Sequence, residues 1–477
     1  MIKIEFGNVN ARINGLEAYP AIAVKLARTL SYTTGGFGAP VETFSLFSVK
    51  TNTTYAGLIP YVIRELNKNR IPFEMVDRRE KPKNGNYYSL ADGIQLRDYQ
   101  QEVINNVATR TVIGAATGGG KTIICAALIV HAQVKKAVIV SPELALSYQT
   151  RDELSRFLGI HVGILTGQDK DFADVMVVTP DAALKQKTVV EEAEVILYDE
   201  CQFLGATTIF NTARMAKKAY YRYALSATPW RDGTDSIKIY AAINVLNPKA
   251  YITASTLIRK GKLTPVDIYF IEQKDVCGWA GNYNNTYVKQ IIENEDRNQK
   301  ALKAIEIADK NGWGSSLVLL GRVEHGNKIL SMIREKFNTK SFKYTFEGVT
   351  YTINEAEFVH GGTELNLRNA ILQAARECKV RYIVSTSVFD AGISVSPLGT
   401  LILLGAGKSS TRAFQRIGRV LRLFDGKERA KVFDFADKNL TFYKHYLTRK
   451  ALYSVEPEFK KNMYLLDENF NVIKKAS

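Results

Sequence analysis

Residues 115–122 place three glycines, a lysine and a threonine in a spacing that suits the binding of phosphate. The segment reads Ala-Ala-Thr-Gly-Gly-Gly-Lys-Thr and lies between two apolar runs, so the pattern predicts a loop between a strand and a helix. Glycines let successive backbone N–H groups turn toward an anion at a helix N-terminus. Lys121 would then reach the β- and γ-phosphates of a nucleotide, and Thr122 would bind Mg²⁺. The first position is Ala115 instead of glycine, and this variant pattern alone leaves a kinase, a transporter ATPase or a chance loop open.

Two adjacent acidic residues, Asp199 and Glu200, directly follow the apolar run 195–198. Ligands of open α/β sheets bind outside the carboxyl ends of the strands. At such a position Asp199 could hold a magnesium ion, while Glu200 could orient and deprotonate an attacking water. A solvated acidic strand end is the alternative interpretation. The apolar run before the pair and its place after Lys121 favour catalysis.

A third group, residues 415–422, reads Gln-Arg-Ile-Gly-Arg-Val-Leu-Arg and should form a helix. Arg419 and Arg422 are three positions apart, so they would share one helix face. Phosphoryl transfer is largely positioning and charge neutralisation, so a nucleotide-driven motor also needs cations that arrive when its domains close. A basic solvated helix is the simpler interpretation of one such cluster. Its location far along the chain from Lys121, in a second sheet domain, favours the catalytic interpretation.

Short apolar runs separated by helix-length segments surround these three groups from about residue 92 onward. Buried parallel strands have this pattern because both of their faces are covered. The sequence therefore predicts an α/β fold with two successive parallel sheets. The first series of runs comprises residues 137–140, 175–178, 195–197 and 223–225, and the second comprises residues 316–320, 382–384, 400–404 and 431–434.

Changes in pattern along the chain suggest a division into five segments. Residues 1–92 lack the strand series and contain a glycine-rich loop at 33–38 and a candidate amphipathic helix at 57–69, so we expect a small α+β accessory domain there. The expected segments are 1–92 as this accessory domain, 93–235 as the first lobe, 236–300 as a linker and the start of the second lobe, 301–450 as the second lobe, and 451–477 as a C-terminal tail.

Two further segments have patterns of their own. Residues 341–357 alternate apolar and polar side chains around Glu347-Gly348, which predicts a hairpin. We favour an extension of the sheet over a strand-separating pin. Residues 442–450 interleave aromatic residues with cations, and here we favour an amphipathic helix packed on the second lobe over a strand contact.

Composition limits the class of protein and its partners. Of the 477 residues, 46% are hydrophobic and 23% are charged, with a formal net charge of +16. This composition is typical of a folded chain, and its basic balance favours a polyanionic partner through counterion release, although charge alone does not establish nucleic-acid binding. The four cysteines form no paired spacing with the five histidines, which argues against a zinc site or a disulfide framework. With no signal pattern and no apolar run long enough to span a bilayer, we expect no membrane partner and a cytoplasmic location.

Taken in order, the motifs resemble those of the superfamily-two helicases over roughly residues 94–435. Residues 96–100, Leu-Arg-Asp-Tyr-Gln, are similar to the segment before the phosphate loop in which a glutamine reads adenine. Residues 226–229, Ser-Ala-Thr-Pro, are similar to the motif that couples hydrolysis to movement, and their continuation at 230–233 resembles the XPB-like and type III restriction branches. The resemblance implies two tandem RecA-like lobes, preceded by the small α+β domain, that use ATP and Mg²⁺.

The resemblance also assigns roles to individual residues. Catalysis is assigned to Lys121, Asp199, Glu200, Gln415, Arg419 and Arg422. Nucleotide binding is assigned to Arg97, Gln100, Thr117, Gly118, Gly119, Gly120, Lys121, Thr122 and Gly392, with Thr122 and Asp199 as metal ligands. Nucleic-acid binding is assigned to Pro142, Thr166, Gly167, Thr179, Arg322, His360, Gly361, Ser385 and Thr386. Coupling of hydrolysis to movement is assigned to Gln202, Ser226 and Thr228.

Two positions depart from the family pattern. Gln202 stands where many relatives have histidine, which places the chain near the DEAQ-like or XPB-like members and leaves the coupling contact open. Ser394 stands where relatives often have an aspartate that approaches the nucleotide sugar. Nucleotide discrimination is therefore less well defined than hydrolysis.

The function implied by the resemblance is that of an ATP-dependent DNA helicase or translocase. The chain's size, its short N-terminal domain and residues 96–100 are most similar to phage recombination and repair helicases of the UvsW type, which remodel forked and four-way DNA. On this basis we expect residues 1–92 to bind DNA, branch migration as the activity, and recombination or replication proteins as partners, in the host cytoplasm if a phage encodes the chain. A DExH-type RNA helicase, the translocating subunit of a restriction complex, and an ATP-gated clamp that does not move are the alternatives. The presence of Glu200, Arg419 and Arg422 argues against the clamp.

Overall fold

A computed structural model describes residues 1–36, 39–229, 234–386, 397–405, 407 and 410–476. The chain forms two compact units, Met1–Ile252 and Thr253–Ser477. Among the described residues, none of the helices combines the length and the apolar character that crossing a bilayer requires.

The first unit begins with a five-stranded sheet in the order β5-β6-β2-β1-β7, covered by two helices. Helix α2 buries Ile59, Val62 and Leu66 on one face, as expected of the amphipathic helix predicted at 57–69. Strands β3 and β4 pair only with each other, as a separate two-stranded ribbon. The elements are β1 Ile2–Phe6, β2 Asn10–Asn14, α1 Pro20–Thr29, β3 Ser31–Gly36, β4 Ala39–Ser45, β5 Phe47–Ser48, β6 Thr53–Tyr55, α2 Ile59–Lys68 and β7 Phe73–Asp77.

The rest of the first unit is an eight-stranded sheet in the order β11-β10-β12-β9-β13-β14-β8-β15. All neighbours are parallel except β10 and β11. The elements are α3 Asp98–Asn106, β8 Arg110–Ala115, α4 Lys121–Ala132, β9 Ala137–Val140, α5 Leu144–Leu158, β10 Gly163–Leu165, β11 Lys170–Asp171, β12 Val175–Val178, α6 Pro180–Lys185, α7 Lys187–Glu191, β13 Val195–Tyr198, α8 Thr207–Met215, β14 Tyr221–Ser226, α9 Ile237–Ala242 and β15 Leu246–Ile252.

The N-terminal sheet shares a hydrophobic core with this larger sheet. A Cβ atom at Gly57 would lie 2.1 Å from the carbonyl oxygen of Tyr240, so the two backbones meet where only glycine fits. Arg110 on β8 donates to the carbonyl oxygen of Asn8 at 2.9 Å. Residues 1–92 are therefore a distinct sheet that packs directly on the first lobe.

The second unit contains another eight-stranded sheet, in the order β20-β21-β17-β22-β23-β16-β24-β25, with only the β24–β25 pair antiparallel. The two RecA-like parallel-sheet lobes predicted from the sequence are thereby confirmed. The elements are α10 Ala254–Arg259, β16 Val266–Gln273, α11 Tyr283–Tyr287, α12 Glu295–Lys310, β17 Ser315–Leu319, α13 Val323–Phe337, β18 Ser341–Phe346, β19 Val349–Asn354, β20 Ala356–Val359, α14 Leu365–Arg376, β21 Tyr382–Ser385, β22 Leu398–Leu403, α15 Ser410–Val420, β23 Ala430–Asp437, α16 Leu440–Tyr453, α17 Pro457–Lys460, β24 Met463–Leu466 and β25 Val472–Lys475.

Two segments hold more regular structure than the sequence suggested. Residues 236–300, expected to contain a linker and the start of the second lobe, hold β15, an edge strand of the first sheet, and β16, an interior strand of the second. The strand β15 has a partly exposed, mixed sequence, and for that reason it gives no apolar signal. Residues 451–477 add β24 and β25 to the second sheet instead of forming a plain tail.

The hairpin expected at 341–357 is present as β18 and β19, which pair antiparallel from Ser341–Asn354 to Phe346–Val349. It forms its own two-stranded sheet and is not the sheet extension that we favoured. The helix expected at 442–450 is α16, whose buried residues include Phe442, His445 and Tyr446. It packs against β23 of the second sheet, as expected.

Candidate active site

The phosphate-binding loop connects β8 to α4. Every residue of β8 is buried, and α4 begins at Lys121. Gly118 and Gly120 have φ angles of 87° and 81°, a left-handed conformation that favours glycine. The first N–H groups of a helix have no acceptor within the helix, and Gly120 at the N-cap brings no side chain to cap them. The loop therefore suits an anion at the start of α4.

Gln100 lies beneath this loop and holds it in place. Its Nε2 donates to the carbonyl oxygen of Gly119 at 3.0 Å, and its Oε1 accepts from the backbone N–H of Arg97 at 2.9 Å. A Cβ at Gly120 would lie 2.5 Å from this Nε2. Gln100 is 3% exposed, so its amide supports the loop from within, while adenine recognition by Gln100 and by the exposed Arg97 stays a prediction.

The paired acids follow β13, two strands from β8 in the sheet. The side-chain ammonium of Lys121 forms an ion pair with Oε1 of Glu200, so the structure brings together two of the predicted catalytic residues. Oδ1 of Asp199 accepts from the backbone N–H of Glu200 at 2.9 Å. Glu200 has a φ of 50°, uncommon for a residue other than glycine and typical of strain held at functional sites.

Burial and charge shift the pKa values of this group. Burial raises the pKa of Asp199 to about 6; the charge of Lys121 opposes this rise, and the charge of Glu200 adds to it. Burial alone would lower the pKa of Lys121, but the carboxylates of Glu200 and Asp199 raise it above its ordinary value. A second positive charge beside Asp199 would stabilise its ionised form, and Thr122 in the first turn of α4 is the other predicted ligand. These residues fit Mg²⁺ bound together with nucleotide phosphates.

A continuous series of contacts links Glu200 to the end of β14. Gln202 donates from Nε2 to Glu200 at 3.0 Å. Its Oε1 accepts the hydroxyl of Ser226 at 2.5 Å, and the same hydroxyl oxygen accepts the backbone N–H of Thr228 at 2.9 Å. Of the predicted coupling residues, Gln202 contacts the predicted catalytic base directly, and Ser226 and Thr228 are connected to that base through Gln202. Gln202 occupies the place of the family's histidine and still completes the link.

The residues of the first unit that are predicted to bind nucleic acid follow three neighbouring parallel β-strands, β10, β12 and β9. Thr166 is buried, and its hydroxyl oxygen accepts the backbone N–H groups of Gln168 and Asp169, so this side chain shapes the turn. Thr179 is the N-cap of α6, and its side chain makes no capping hydrogen bond. Pro142 is half-buried, and Gly167 is exposed.

The candidates of the second unit follow β17, β20 and β21, which are also neighbouring and parallel. Arg322 is the N-cap of α13. The ring of His360, beside the exposed Gly361, lies against that of Phe358 with centroids 4.8 Å apart and the ring planes tilted by 41°. Ser385 is fully buried and donates its hydroxyl to the carbonyl oxygen of Val359 at 2.8 Å. The side chain of Ser385 therefore lies in the core of the unit and does not face solvent, where nucleic acid would bind. Thr386 is 9% exposed.

The predicted catalytic residues of the second unit lie on or just after α15. Gln415 and Arg419 are within the helix, and Arg422 follows it by two residues. Thr264 donates its hydroxyl to the carbonyl oxygen of Arg422 at 3.3 Å, which fixes the backbone at that point. Gly392, Ser394 and residues 230–233 lie outside the described residues.

Sequence reasoning missed several buried residues of the second unit. Arg297 pairs with Asp437 at 2.5 Å, and Arg449 pairs with Asp434 at 2.8 Å, all of them buried. Isolated charged residues in sequence give no sign of such pairing. Tyr287, in the segment expected to contain a linker and the start of the second lobe, was also missed. An aromatic pair with Tyr283, one helical turn away, is the signal that could have marked α11.

Two family models match the chain. Residues 93–231 match the type III restriction enzyme res subunit, and residues 315–424 match the helicase conserved C-terminal domain. The two matches fall one in each unit, over the phosphate loop and paired acids in the first and over Arg322 and Arg419 in the second.

Curated relatives match most of the chain. The DNA 3'-5' translocase XPB2 of Sulfurisphaera tokodaii is 26% identical over 70% of this chain and 80% of its own length. The ATP-dependent DNA helicase uvsW of Enterobacteria phage T4 is 25% identical over 82% of this chain and 78% of its own length. Among solved structures, the type ISP restriction-modification enzyme LlaBIII bound to DNA has a TM-score of 0.57 at 15% identity, over 85% of this chain and 34% of that one. That last likeness concerns the fold alone.

Proposed function

We propose, from the premise that the chain is a superfamily-two helicase of the XPB- and UvsW-like kind, that it is driven along DNA by ATP and remodels forked or four-way junctions. Such an activity serves recombination, repair or replication. The relatives named above are described as a DNA translocase and a DNA helicase, and the formal net charge of +16 suits a polyanionic track.

The observation that carries the motor activity is the unbroken contact series from Lys121 through Glu200 and Gln202 to Ser226. It joins the predicted phosphate-binding lysine to the predicted coupling residues through the predicted catalytic base. A change at the γ-phosphate can therefore alter the end of β14 through three side-chain contacts. A protein that only bound nucleotide would have no use for such a link.

Within this proposal, the residues of the first unit divide the chemistry among themselves. Lys121 and the first N–H groups of α4 hold the phosphates, while Asp199 and Thr122 hold Mg²⁺. Mg²⁺ would supply the charge neutralisation that phosphoryl transfer requires. When Lys121 turns to a phosphate it leaves Oε1 of Glu200, and this carboxylate would then orient and deprotonate water. The ion pair with Lys121 would thus prevent Glu200 from acting as a base until nucleotide binds.

Residues of the second unit are proposed to complete the cycle. Arg419 and Arg422 would supply positive charge to the phosphoryl group in the transition state, as arginine fingers do. Arg322 and His360 would bind the nucleic-acid backbone, as Thr179 would in the first unit. Contacts to phosphates carry no sequence information, so binding would be independent of sequence.

A second candidate function is the ATP-driven translocating subunit of a restriction complex. The observation that favours it is the match of residues 93–231 to the type III restriction enzyme res subunit. In the described residues, no group of three or more His, Cys, Asp or Glu side chains is arranged to hold a metal ion. Under this candidate, cleavage would fall to another chain, and copurification of a nuclease partner would favour it.

The experiment that tests the proposal is the rate of ATP hydrolysis at fixed salt with single-stranded DNA, forked DNA, a four-way junction and an RNA duplex. Salt must be fixed because phosphate contacts make affinity salt-dependent. We expect the branched DNAs to stimulate hydrolysis most. Greater stimulation by the RNA duplex would replace the proposal with an RNA helicase.

A further inference from the structure

Tyr287 is the last residue of α11, within the stretch predicted to contain a linker and the start of the second lobe. Its side chain is buried, with 6% of the residue exposed, and it packs edge-on against Phe442 with centroids 6.0 Å apart. Its hydroxyl donates to the carbonyl oxygen of Gly405 at 3.1 Å. Burial raises the pKa of Tyr287 to about 12, so the hydroxyl keeps its proton and remains a donor at neutral pH.

Two glycines make this contact possible. A Cβ at Gly321 would lie 2.6 Å from the hydroxyl oxygen of Tyr287, and a Cβ at Gly405 would lie 3.0 Å from the backbone nitrogen of Gly321. The first distance is shorter than real Cβ contacts, and the second is at the limit. The hydroxyl therefore lies where the second residue after β17, Gly321, meets the second residue after β22, Gly405. Gly321 directly precedes Arg322 in sequence.

The guanidinium of Arg322 lies over the ring of Tyr287. Its guanidinium carbon is 5.3 Å from the centroid of the tyrosine ring, within cation–π range. Its Nη2 donates to Oδ1 of Asn284 at 2.9 Å. The Arg322 side chain is 36% exposed. Arginine has five N–H donors, so a phosphate can bind this exposed side while the guanidinium stays against the ring.

Three neighbouring backbone carbonyls, those of Leu404, Gly405 and Gly407, each accept a hydrogen bond from a side chain. Arg297 donates to the carbonyl oxygen of Leu404 at 3.2 Å, and Arg449 donates to that of Gly407 at 3.1 Å. Both arginines are fixed by the buried pairs with Asp437 and Asp434 described above. Among these three donors, Tyr287 is the one in contact with Arg322. These residues precede α15 in sequence, and that helix begins at Ser410 and carries Arg419.

We propose that Tyr287 is a positioning residue that couples the binding of a nucleic-acid phosphate at Arg322 to the backbone segment that leads to Arg419. The inference rests on the proposed function, since it needs Arg322 to bind phosphate. A phosphate that draws the guanidinium moves the ring beneath it, and the ring's hydroxyl passes the shift to Gly405. Stimulation of hydrolysis by nucleic acid, and not basal hydrolysis, is the property that this link controls.

Tyr287→Phe tests the link because it removes the hydroxyl and keeps the ring, its packing and the contact with Arg322. The matched control is Tyr344→Phe, which removes a hydroxyl that donates to Glu377 at 2.7 Å on the hairpin of the same unit. For each variant, the rate of ATP hydrolysis is measured without nucleic acid and at saturating single-stranded DNA. The DNA concentration that gives half of the maximal stimulation and the midpoint of thermal unfolding are measured as well.

For Tyr287→Phe we expect stimulation by DNA to fall about fivefold, the equivalent of one lost hydrogen bond. Basal hydrolysis and half-saturating DNA should stay within about twofold of wild type, and Tyr344→Phe should match wild type throughout. Undiminished stimulation in Tyr287→Phe would overturn the inference, as would an equal loss of basal and stimulated rates, which would make the hydroxyl merely structural. Should wild type itself show no stimulation by any nucleic acid, the proposed function fails first, and the two failures are thereby told apart.

Discussion

The hydroxyl of Ser226 donates to Oε1 of Gln202 at 2.5 Å, across the carboxyl ends of two adjacent strands, β14 and β13. Because the amide of Gln202 also donates to Glu200, this one side chain connects the predicted base to the predicted coupling motif. Gln202 therefore makes a contact on each side at the position where many relatives have histidine. A glutamine amide can accept on one side and donate on the other, as the link requires.

Ser226→Ala should separate hydrolysis from movement. The change removes the donor to Gln202 and the acceptor for the Thr228 N–H, while Lys121 and Glu200 keep their places. We expect unwinding to slow about fivefold or more, as for the loss of about 1 kcal/mol, with hydrolysis changed less. Ser454→Ala, which removes a hydroxyl contact to the Lys450 carbonyl in α16, is the control. Equal losses of hydrolysis and unwinding in Ser226→Ala would argue against a coupling role.

Lys121→Ala should abolish hydrolysis and leave DNA binding nearly intact. Loss of a group that stabilises charge in the transition state lowers turnover by about 100-fold or more. Steady-state hydrolysis and a DNA-binding titration provide the two readouts. The control is Lys218→Ala, which breaks an exposed ion pair with Glu192 and should behave as wild type. A normal rate of hydrolysis in Lys121→Ala would mean that the phosphate loop is wrongly assigned.

Arg422→Ala should bind ATP normally and fail to turn it over. An arginine finger contributes about 1000-fold or more to turnover while adding little to ground-state binding. Nucleotide affinity and DNA-stimulated hydrolysis are measured side by side with Arg259→Ala, whose arginine lies 57% exposed beside Glu458. Turnover at the wild-type rate would remove Arg422 from the catalytic group.

His325→Gln should make stability less sensitive to acid. Burial, together with the charges of Arg297 and Lys328, lowers the pKa of His325 to about 3. Between that value and an unfolded pKa near 6.5, the unfolded chain binds a proton that the folded chain does not, so stability is lost as pH falls. From about pH 7.5 to about pH 5, wild type should lose about 2 kcal/mol more than the variant. Urea unfolding at both pH values measures this, and an equal loss in both proteins would show that His325 titrates normally.

Much of the fold could be predicted because buried parallel strands are continuous apolar runs. Val195–Tyr198 is such a run, and all four residues are buried. Strand β15 was missed because an edge strand needs only one covered face, and its sequence mixes Asn, Pro and Lys with apolar residues. Burial on both faces, and not strand formation as such, is what the sequence pattern reports.

The candidate site could be predicted from the sequence only in part. The meeting of Lys121 with Glu200 follows from two motifs at the carboxyl ends of nearby strands. The inward position of Ser385 could not be foreseen, because one residue's shift along a strand end decides whether a side chain faces the core or the solvent. Tyr287 carries no motif, and its place beside Gly405 depends on a contact between residues 118 positions apart in sequence.

The central claim, an ATP-driven motor acting on branched DNA, is tested most directly by following a labelled four-way junction, a fork and an RNA duplex in the presence of ATP and Mg²⁺. Wild type and Glu200→Gln are compared, since the variant should bind ATP and DNA without a catalytic base. We predict that wild type converts the junction and the fork to their products faster than it unwinds the RNA duplex, and that Glu200→Gln converts none of them. Failure of wild type to convert either DNA in an ATP-dependent manner, or faster unwinding of the RNA duplex, would contradict the account.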